Sequence, residues 1–155
     1  MNAQVIEALG IVSSDRHKLV ILLGEHGVGK TALLKQVAQE AGGKYLNLNL
    51  LLTERLLALP RKRYDDGVTA HREIDELCDE RSPDGRPLMV DNIEILFSPE
   101  LGRINPVDTF KRVSRQRPVV LALPTRRLGS RAEYSVLGHK DHMSIPLEDY
   151  TVIEM

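Results

Sequence analysis

The fold is decided by residues 19–34, which read LVILLGEHGVGKTALL. The first five residues are apolar and predict a buried strand, and the last four begin an apolar pattern with helical spacing. Between them, the glycines of GEHGVGKT allow a backbone to turn several N–H groups toward one point without side chains in the way. A strand, a glycine-rich loop and a helix in this order are typical of a loop that binds nucleotide phosphates.

Two residues at the end of this loop have separate predicted roles. Lys30 places a cation against the outer phosphates, and the hydroxyl of Thr31 is positioned to ligate Mg²⁺. The helix that begins near Lys30 adds the positive end of its dipole to the same anion. The predicted nucleotide-binding residues are Gly24, Glu25, His26, Gly27, Val28, Gly29, Lys30, Thr31 and Ala32.

A second apolar run, residues 87–91, ends in the carboxylate of Asp91. A buried strand that ends in an acid can place that acid beside a phosphate loop, so Thr31 and Asp91 are the predicted metal ligands. Asn92 follows, and its amide cannot accept a proton from water. Glu94 is the nearest replacement base. On a continuing strand it would face away from Asp91, so a turn or helix start must intervene.

Hydrophobic periodicity predicts an α/β fold, and the phosphate loop together with Asp91 indicates a three-layer P-loop NTPase with a five-stranded, mostly parallel sheet. We expect one domain over residues 1–155, with no helical lid at the C-terminal end and only a short tail after residue 146. Residues 61–67 predict an exposed, charged connection. The predicted strands are residues 18–23, 44–50, 87–91, 118–123 and 143–146, and the predicted helices are residues 5–12, 31–41, 51–59, 69–80 and 108–116.

Thr125 lies just after the predicted strand at residues 118–123. A polar residue at such a strand end can contact the γ-phosphate or orient the attacking water. Thr after Pro is equally suited to capping or to turn formation, so both interpretations stay open.

Composition narrows the class of protein. A length of 155 residues suits one domain, and a single cysteine excludes an internal disulfide framework. The start of the chain lacks signal-peptide features and no apolar run approaches the roughly 20 residues that cross a membrane, so we expect a cytoplasmic protein without a membrane partner. Residues 103–140 carry nine Lys or Arg against two acids. This basic stretch could contact DNA, an acidic partner or a neighbouring subunit's nucleotide. An ordinary solvated surface explains it equally well.

The combined motifs resemble the ASCE division of P-loop ATPases, and within it AAA+ proteins of the initiator and helicase-loader type. Residues 91–94, DNIE, resemble the Walker B segment of that group, and residues 128–131, LGSR, resemble its Ser-Arg element. The resemblance implies ATP with Mg²⁺ as cofactors and a homo-oligomer in which Arg131 reaches the adjacent subunit's nucleotide. Arg126 and Arg127 are substitutes for that role.

More closely, the chain is similar to the BrxF family of small P-loop proteins in type 3 bacteriophage-exclusion (BREX) defence systems. The similarity rests on residues 24–31, on DNIEILF at residues 91–97 and on AEY at residues 132–134. It implies an ATP-binding component of a multi-protein anti-phage machine, with other BREX proteins, including a DNA methyltransferase, as partners.

Two alternatives belong to other classes. The first is a small P-loop kinase or nucleotide-metabolising enzyme, in which Arg126, Arg127 and Arg131 would be lid residues. The second is a DNA-binding adaptor with a vestigial nucleotide site. A GTPase is disfavoured because the sequence has no Asn-Lys-x-Asp segment for reading guanine.

Overall fold

The computed structural model describes residues 1–60, 67–134 and 142–155, so all but the last residue of the predicted charged connection at residues 61–67 lies outside the described residues. Two short 3₁₀ helices, Glu94–Phe97 and Pro99–Leu101, follow the third strand. The other elements are α1 (Asn2–Val12), β1 (Leu19–Leu23), α2 (Lys30–Ala41), β2 (Lys44–Asn47), α3 (Leu48–Ala58), α4 (Val68–Arg81), β3 (Leu88–Asp91), α5 (Pro106–Val113), β4 (Val119–Leu123), β5 (Arg127–Leu128), β6 (Arg131–Tyr134), β7 (Met143–Pro146) and β8 (Thr151–Glu154).

The main sheet has five strands in the order β2-β3-β4-β1-β8, and all its pairs are parallel. The predicted α/β class and the five-stranded sheet are therefore confirmed. The loop-bearing strand β1 lies between β4 and β8, and β4 separates it from β3. Every residue of β1 and β4 is buried, because helices cover both faces of the sheet.

Alternate residues of these strands face two separate cores. One core lies under α1 and α2 and takes Leu22, Met89 and Ala122. The other lies under α3, α4 and α5 and takes Leu23, Val90 and Leu121. Because side chains alternate along a strand, Asp91 faces the same side as Met89, toward α2.

The second strand is shorter than predicted. Residues 44–50 were expected to be extended, but β2 ends at Asn47 and α3 begins at Leu48. The reason is capping: the side chain of Asn47 accepts a hydrogen bond from the backbone N of Leu50 at 3.2 Å. Asn is a favoured N-cap residue because its oxygen satisfies a free N–H of the first helical turn.

The C-terminal part of the chain corrects two predictions. Residues 143–146 form a strand, but β7 belongs to a separate antiparallel sheet of order β5-β6-β7. The prediction of a short tail after residue 146 is wrong, because Thr151–Glu154 forms β8, which pairs with β1 as the fifth parallel strand. Its β-branched Thr, Val and Ile favour an extended backbone, although four residues give a weak signal.

In the described part of the chain, the secondary structure after β4 consists of strands alone. A search of the same residues for a helix long and apolar enough to span a bilayer found none.

Candidate functional site

The loop between β1 and α2 depends on glycine at defined positions. The φ angles of Gly27 and Gly29 are 84° and 98°, values that residues with a Cβ rarely adopt. Gly24 is needed for space, because a Cβ there would lie 2.9 Å from Cγ2 of Val28 and 3.2 Å from Cδ of Lys30. The loop can therefore close over the lysine side chain.

Lys30 is the first residue of α2, and its ammonium group lies under the loop. Its Nζ donates hydrogen bonds to the backbone oxygen of Gly24 and to that of Glu25, the latter at 3.0 Å. Burial lowers the pKa of Lys30, while the charges of Asp91 and Glu94 oppose that shift. Carbonyl oxygens of the loop thus hold the partly desolvated ammonium group of Lys30 beside the position predicted for the outer phosphates.

Asp91, at the end of β3, is only 3% exposed. Its Oδ2 accepts a hydrogen bond from the Thr31 hydroxyl at 2.6 Å and another from the Tyr45 hydroxyl at 2.8 Å. Burial, followed by the hydrogen bond to Asp91, raises the pKa of Tyr45 to about 12, so the phenol stays a donor at neutral pH. The structure therefore brings together the two predicted metal ligands, Thr31 and Asp91.

The turn that Glu94 requires is present. Asn92 has a φ of 53°, a left-handed value that Asn adopts more readily than most residues, and it ends the strand directly after Asp91. Glu94 then begins a 3₁₀ helix. Asn49 fixes this turn: its Nδ2 donates to Oε2 of Glu94 at 3.0 Å, its Oδ1 accepts from the N of Ile95 at 2.9 Å, and its own N donates to the oxygen of Asn92 at 2.8 Å.

Lys30, Thr31, Asp91 and Glu94 line one cavity of about 560 Å³. Its polar lining contains the cations Lys30 and Lys35 and the carboxylates Asp91 and Glu94, and Pro124 closes it at the end of β4. The predicted site residues that line it are His26, Gly27, Gly29, Lys30, Thr31, Ala32, Asp91, Asn92 and Glu94.

The other predicted loop residues face elsewhere. Gly24, Glu25 and Val28 line a smaller cavity of about 130 Å³, together with Thr125 and Arg126. The Thr125 hydroxyl donates to the backbone oxygen of Glu133, and this contact fits the turn-forming interpretation. Thr125 lies just past the strand end as expected, but the structure does not place it in the larger cavity.

Arg127 and Arg131 lie in the β5–β6 hairpin, whose tip has Gly129 at a φ of 63°, and Arg126 directly precedes β5. Arg131 donates to the Ser144 hydroxyl at 2.5 Å and to the Ser144 carbonyl at 3.2 Å. Arg127 lies 3.6 Å from Glu154. Arg126 has a side chain that is 76% exposed and lies 3.6 Å from Glu25. A role across a subunit interface stays a prediction.

Three residues of the site were missed from the sequence. Lys35 lines the larger cavity, and Tyr45 and Asn49 hold Asp91 and Glu94. The spacing of four from Thr31 to Lys35 places both on one helix face, which was an available signal. Tyr45 and Asn49 come from β2 and α3, and only the pairing of β2 with β3 brings them to the site.

The oxygen groups at this cavity fit Mg²⁺. Mg²⁺ in nucleotide sites takes one or two carboxylates together with substrate phosphates, rather than a cage made only of protein groups. Thr31 and Asp91 offer one hydroxyl and one carboxylate side by side. No group of three or more His, Cys, Asp or Glu residues suited to a metal occurs within residues 1–60, 67–134 and 142–155.

A family model described as AAA, ATPase family associated with various cellular activities, matches residues 20–98. The chain belongs to the AAA family. The part of this AAA protein that matches runs from β1 to the residue after the first 3₁₀ helix, so it contains the phosphate loop, Asp91 and Glu94. This membership supports a nucleotide-binding P-loop module that takes ATP with Mg²⁺, as is typical of AAA proteins. Neither a curated protein nor a solved structure matches the chain.

Proposed function

We propose that this AAA protein binds ATP with Mg²⁺ in the larger cavity and acts as an ATPase or nucleotide switch within a larger assembly. One observation carries the proposal: Lys30, Thr31, Asp91 and Glu94, which come from two distant segments of the chain, line the same cavity. A phosphate-binding cation, a hydroxyl beside a carboxylate and a possible general base are the groups that phosphoryl transfer from ATP requires.

The loop supplies the binding of the phosphates. Its glycines leave the backbone N–H groups accessible, and the N-terminus of α2 favours an anion at the same place. The ammonium of Lys30 exchanges carbonyl partners for phosphate oxygens, a stronger charge-assisted contact. Bound Mg²⁺ would supply positive charge that stabilises the outer phosphate oxygens, and Thr31 and Asp91 would hold it.

Glu94 is the candidate base for hydrolysis. Attack of water on the γ-phosphorus breaks the bond to the leaving ADP oxygen, and the water loses a proton as it attacks. Asn92 cannot take that proton because its amide nitrogen and oxygen are not basic. Glu94 lines the cavity and accepts a hydrogen bond from Asn49 at 3.0 Å, which supports it as the proton acceptor.

The assembly is the second part of the proposal. The similarity of the motifs to the BrxF family supports a place in a BREX anti-phage system, with other BREX proteins as partners. The exposed arginines of the β5–β6 hairpin support a homo-oligomer in which one arginine contacts the neighbouring subunit's nucleotide. Arg126, whose side chain is 76% exposed, is the least constrained of the three.

Binding of DNA is a second candidate function, and the exposed hairpin favours it. Arg127 and Arg131 lie on one short ribbon, Arg126 directly precedes it, and Leu128 of β5 is 56% exposed. Residues 135–140 of the basic stretch lie outside the described residues. Contacts of Arg with phosphate would make the DNA affinity fall steeply with salt.

ATP titration by calorimetry, together with phosphate release, tests the proposal. The wild type and Lys44→Ala, which changes an exposed lysine on β2, should bind ATP alike, whereas Lys30→Ala should lose about 10–100-fold in affinity because it removes a charged hydrogen-bond donor. Equal titration of the two variants would reject the site.

The same measurements separate the alternative functions. Phosphate transfer only in the presence of an acceptor would identify a kinase. Salt-sensitive DNA binding without turnover would identify an adaptor.

A further inference from the structure

Tyr45 has no part in the function proposed above, although its hydroxyl reaches the site. It lies in β2, where the parallel register pairs it with Met89 of β3. Tyr45 and Asp91 therefore face the same side of the sheet, two residues apart along the strand direction. The long tyrosine side chain spans this offset, and its hydroxyl lies 2.8 Å from Oδ2 of Asp91.

A single oxygen of Asp91 accepts both hydroxyl donors. Oδ2 accepts from Tyr45 and from Thr31, whereas no described residue donates a hydrogen bond to Oδ1. Two donors on one oxygen restrict the rotation of the carboxylate and leave Oδ1 available. Asp91 lines the larger cavity, so the available oxygen belongs to a group in contact with the ligand space.

The Tyr45 ring is itself held in place. The ammonium of Lys35 lies 5.1 Å from the ring centroid, within the range of a cation–π contact. Lys35 follows Thr31 by one helical turn, so α2 presents one residue to the Tyr45 ring and another to Asp91. The hydroxyl of Tyr45 comes from the sheet and not from the loop, so its hydrogen bond does not depend on the conformation of the loop.

We propose that Tyr45 is a positioning residue that orients Asp91 for Mg²⁺ in the nucleotide complex, an inference that rests on the proposed function. A group that hydrogen-bonds a metal-binding carboxylate fixes its orientation, and losing such a group typically costs about 10–100-fold in metal affinity. Thr31 donates its hydroxyl proton to Asp91 and keeps its oxygen lone pairs for the metal.

Tyr45→Phe tests this inference, since it removes the hydroxyl and keeps the ring under Lys35. Tyr150→Phe is the matched control, because Tyr150 also has a lysine, Lys111, over its ring, at 5.9 Å, and lines a different cavity. A fluorescent ATP analogue is titrated in Mg²⁺ and in EDTA. In Tyr45→Phe, Mg²⁺ should raise the affinity for the analogue about 10–100-fold less than it does in the wild type. The affinity in EDTA should be unchanged. Tyr150→Phe should match the wild type in both buffers.

Replacing Mg²⁺ with Ca²⁺ separates orientation from a general structural effect. Mg²⁺ demands near-ideal octahedral geometry and Ca²⁺ does not, so the loss in Tyr45→Phe should be smaller with Ca²⁺. A full Mg²⁺ gain in Tyr45→Phe, an equal loss with both ions, or the same loss in EDTA would each overturn the positioning role while leaving ATP binding intact. A wild type that binds no ATP analogue in either buffer would instead overturn the proposed function itself.

Discussion

The two sheets of this protein differ in how firmly they hold their polar side chains. In the parallel sheet, β1 and β4 are buried at every residue, and Asp91 extends from β3 with two hydroxyl donors. In the antiparallel sheet, both residues of β5 are exposed, and Arg126, which directly precedes β5, forms an exposed pair with Glu25. Exposed ion pairs contribute about 0–1 kcal/mol, so Arg126 is free to change partners. We therefore propose that chemistry belongs to the parallel sheet and contact with partners to the hairpin.

The largest effect should follow from a change in the cavity of the parallel sheet. Glu94→Gln keeps the shape of the side chain and removes its basicity, so we expect phosphate release to fall by about 10²–10⁴-fold with ATP affinity retained. Glu40→Gln, on the exposed side of α2, is the control and should keep full turnover. If Glu94→Gln keeps its turnover, another group is the general base.

The stability of the two sheets can be compared directly with two leucines. Leu121→Ala empties a fully buried site in β4 and should lower the free energy of unfolding by about 2–5 kcal/mol. Leu128→Ala removes a side chain that is 56% exposed in β5 and should change it by less than about 0.5 kcal/mol. Urea unfolding measures both. A similar loss in the two variants would contradict the contrast drawn between the sheets.

A smaller effect should follow from Asn49→Ala, which removes the side chain that bridges Glu94 and the N of Ile95. We expect a loss of about 1–3 kcal/mol in stability, because both groups lose a hydrogen bond, and a loss of about 10-fold or more in turnover, because Glu94 is no longer fixed. Asn47→Ala is matched to it: it removes the N-cap of α3 and should cost about 1 kcal/mol without a change in turnover per folded molecule. Equal turnover of the two variants would show that Asn49 does not support the activity of Glu94.

The smallest effect should be a dependence of stability on acidic pH that comes from the antiparallel sheet. Hydrogen bonds from Ser144 and then His142 hold the pKa of Glu133 below its ordinary value. A carboxyl whose pKa is lowered by folding stabilises the protein above its ordinary pKa, near 4.5, and this stabilisation is lost as the pH falls through the folded value. Thermal unfolding from pH 6 to pH 3 should therefore show a smaller acid-induced decrease in Glu133→Gln than in the wild type. Identical profiles would count against this contribution.

The sequence predicted what depends on local spacing and missed what depends on long-range pairing. The phosphate loop, Asp91 and the turn before Glu94 could be inferred because a strand, its end and the next residues are contiguous. Tyr45 reaches Asp91 only after β2 has paired with β3, and no local pattern specifies that register. The strand at Thr151–Glu154 was missed for the same reason, since four residues become a strand by pairing with β1.

Topology also sets the width of the larger cavity. Because β4 lies between β1 and β3, two inter-strand spacings of about 4.8 Å separate the loop-bearing strand from the strand that carries Asp91. Ala122 and Pro124 of the intervening chain form part of the floor, and a methyl group and a ring leave that gap open. Ala122→Leu would add side-chain volume to this lining. The width of the cavity is thus set by strand order and by the small side chain of Ala122.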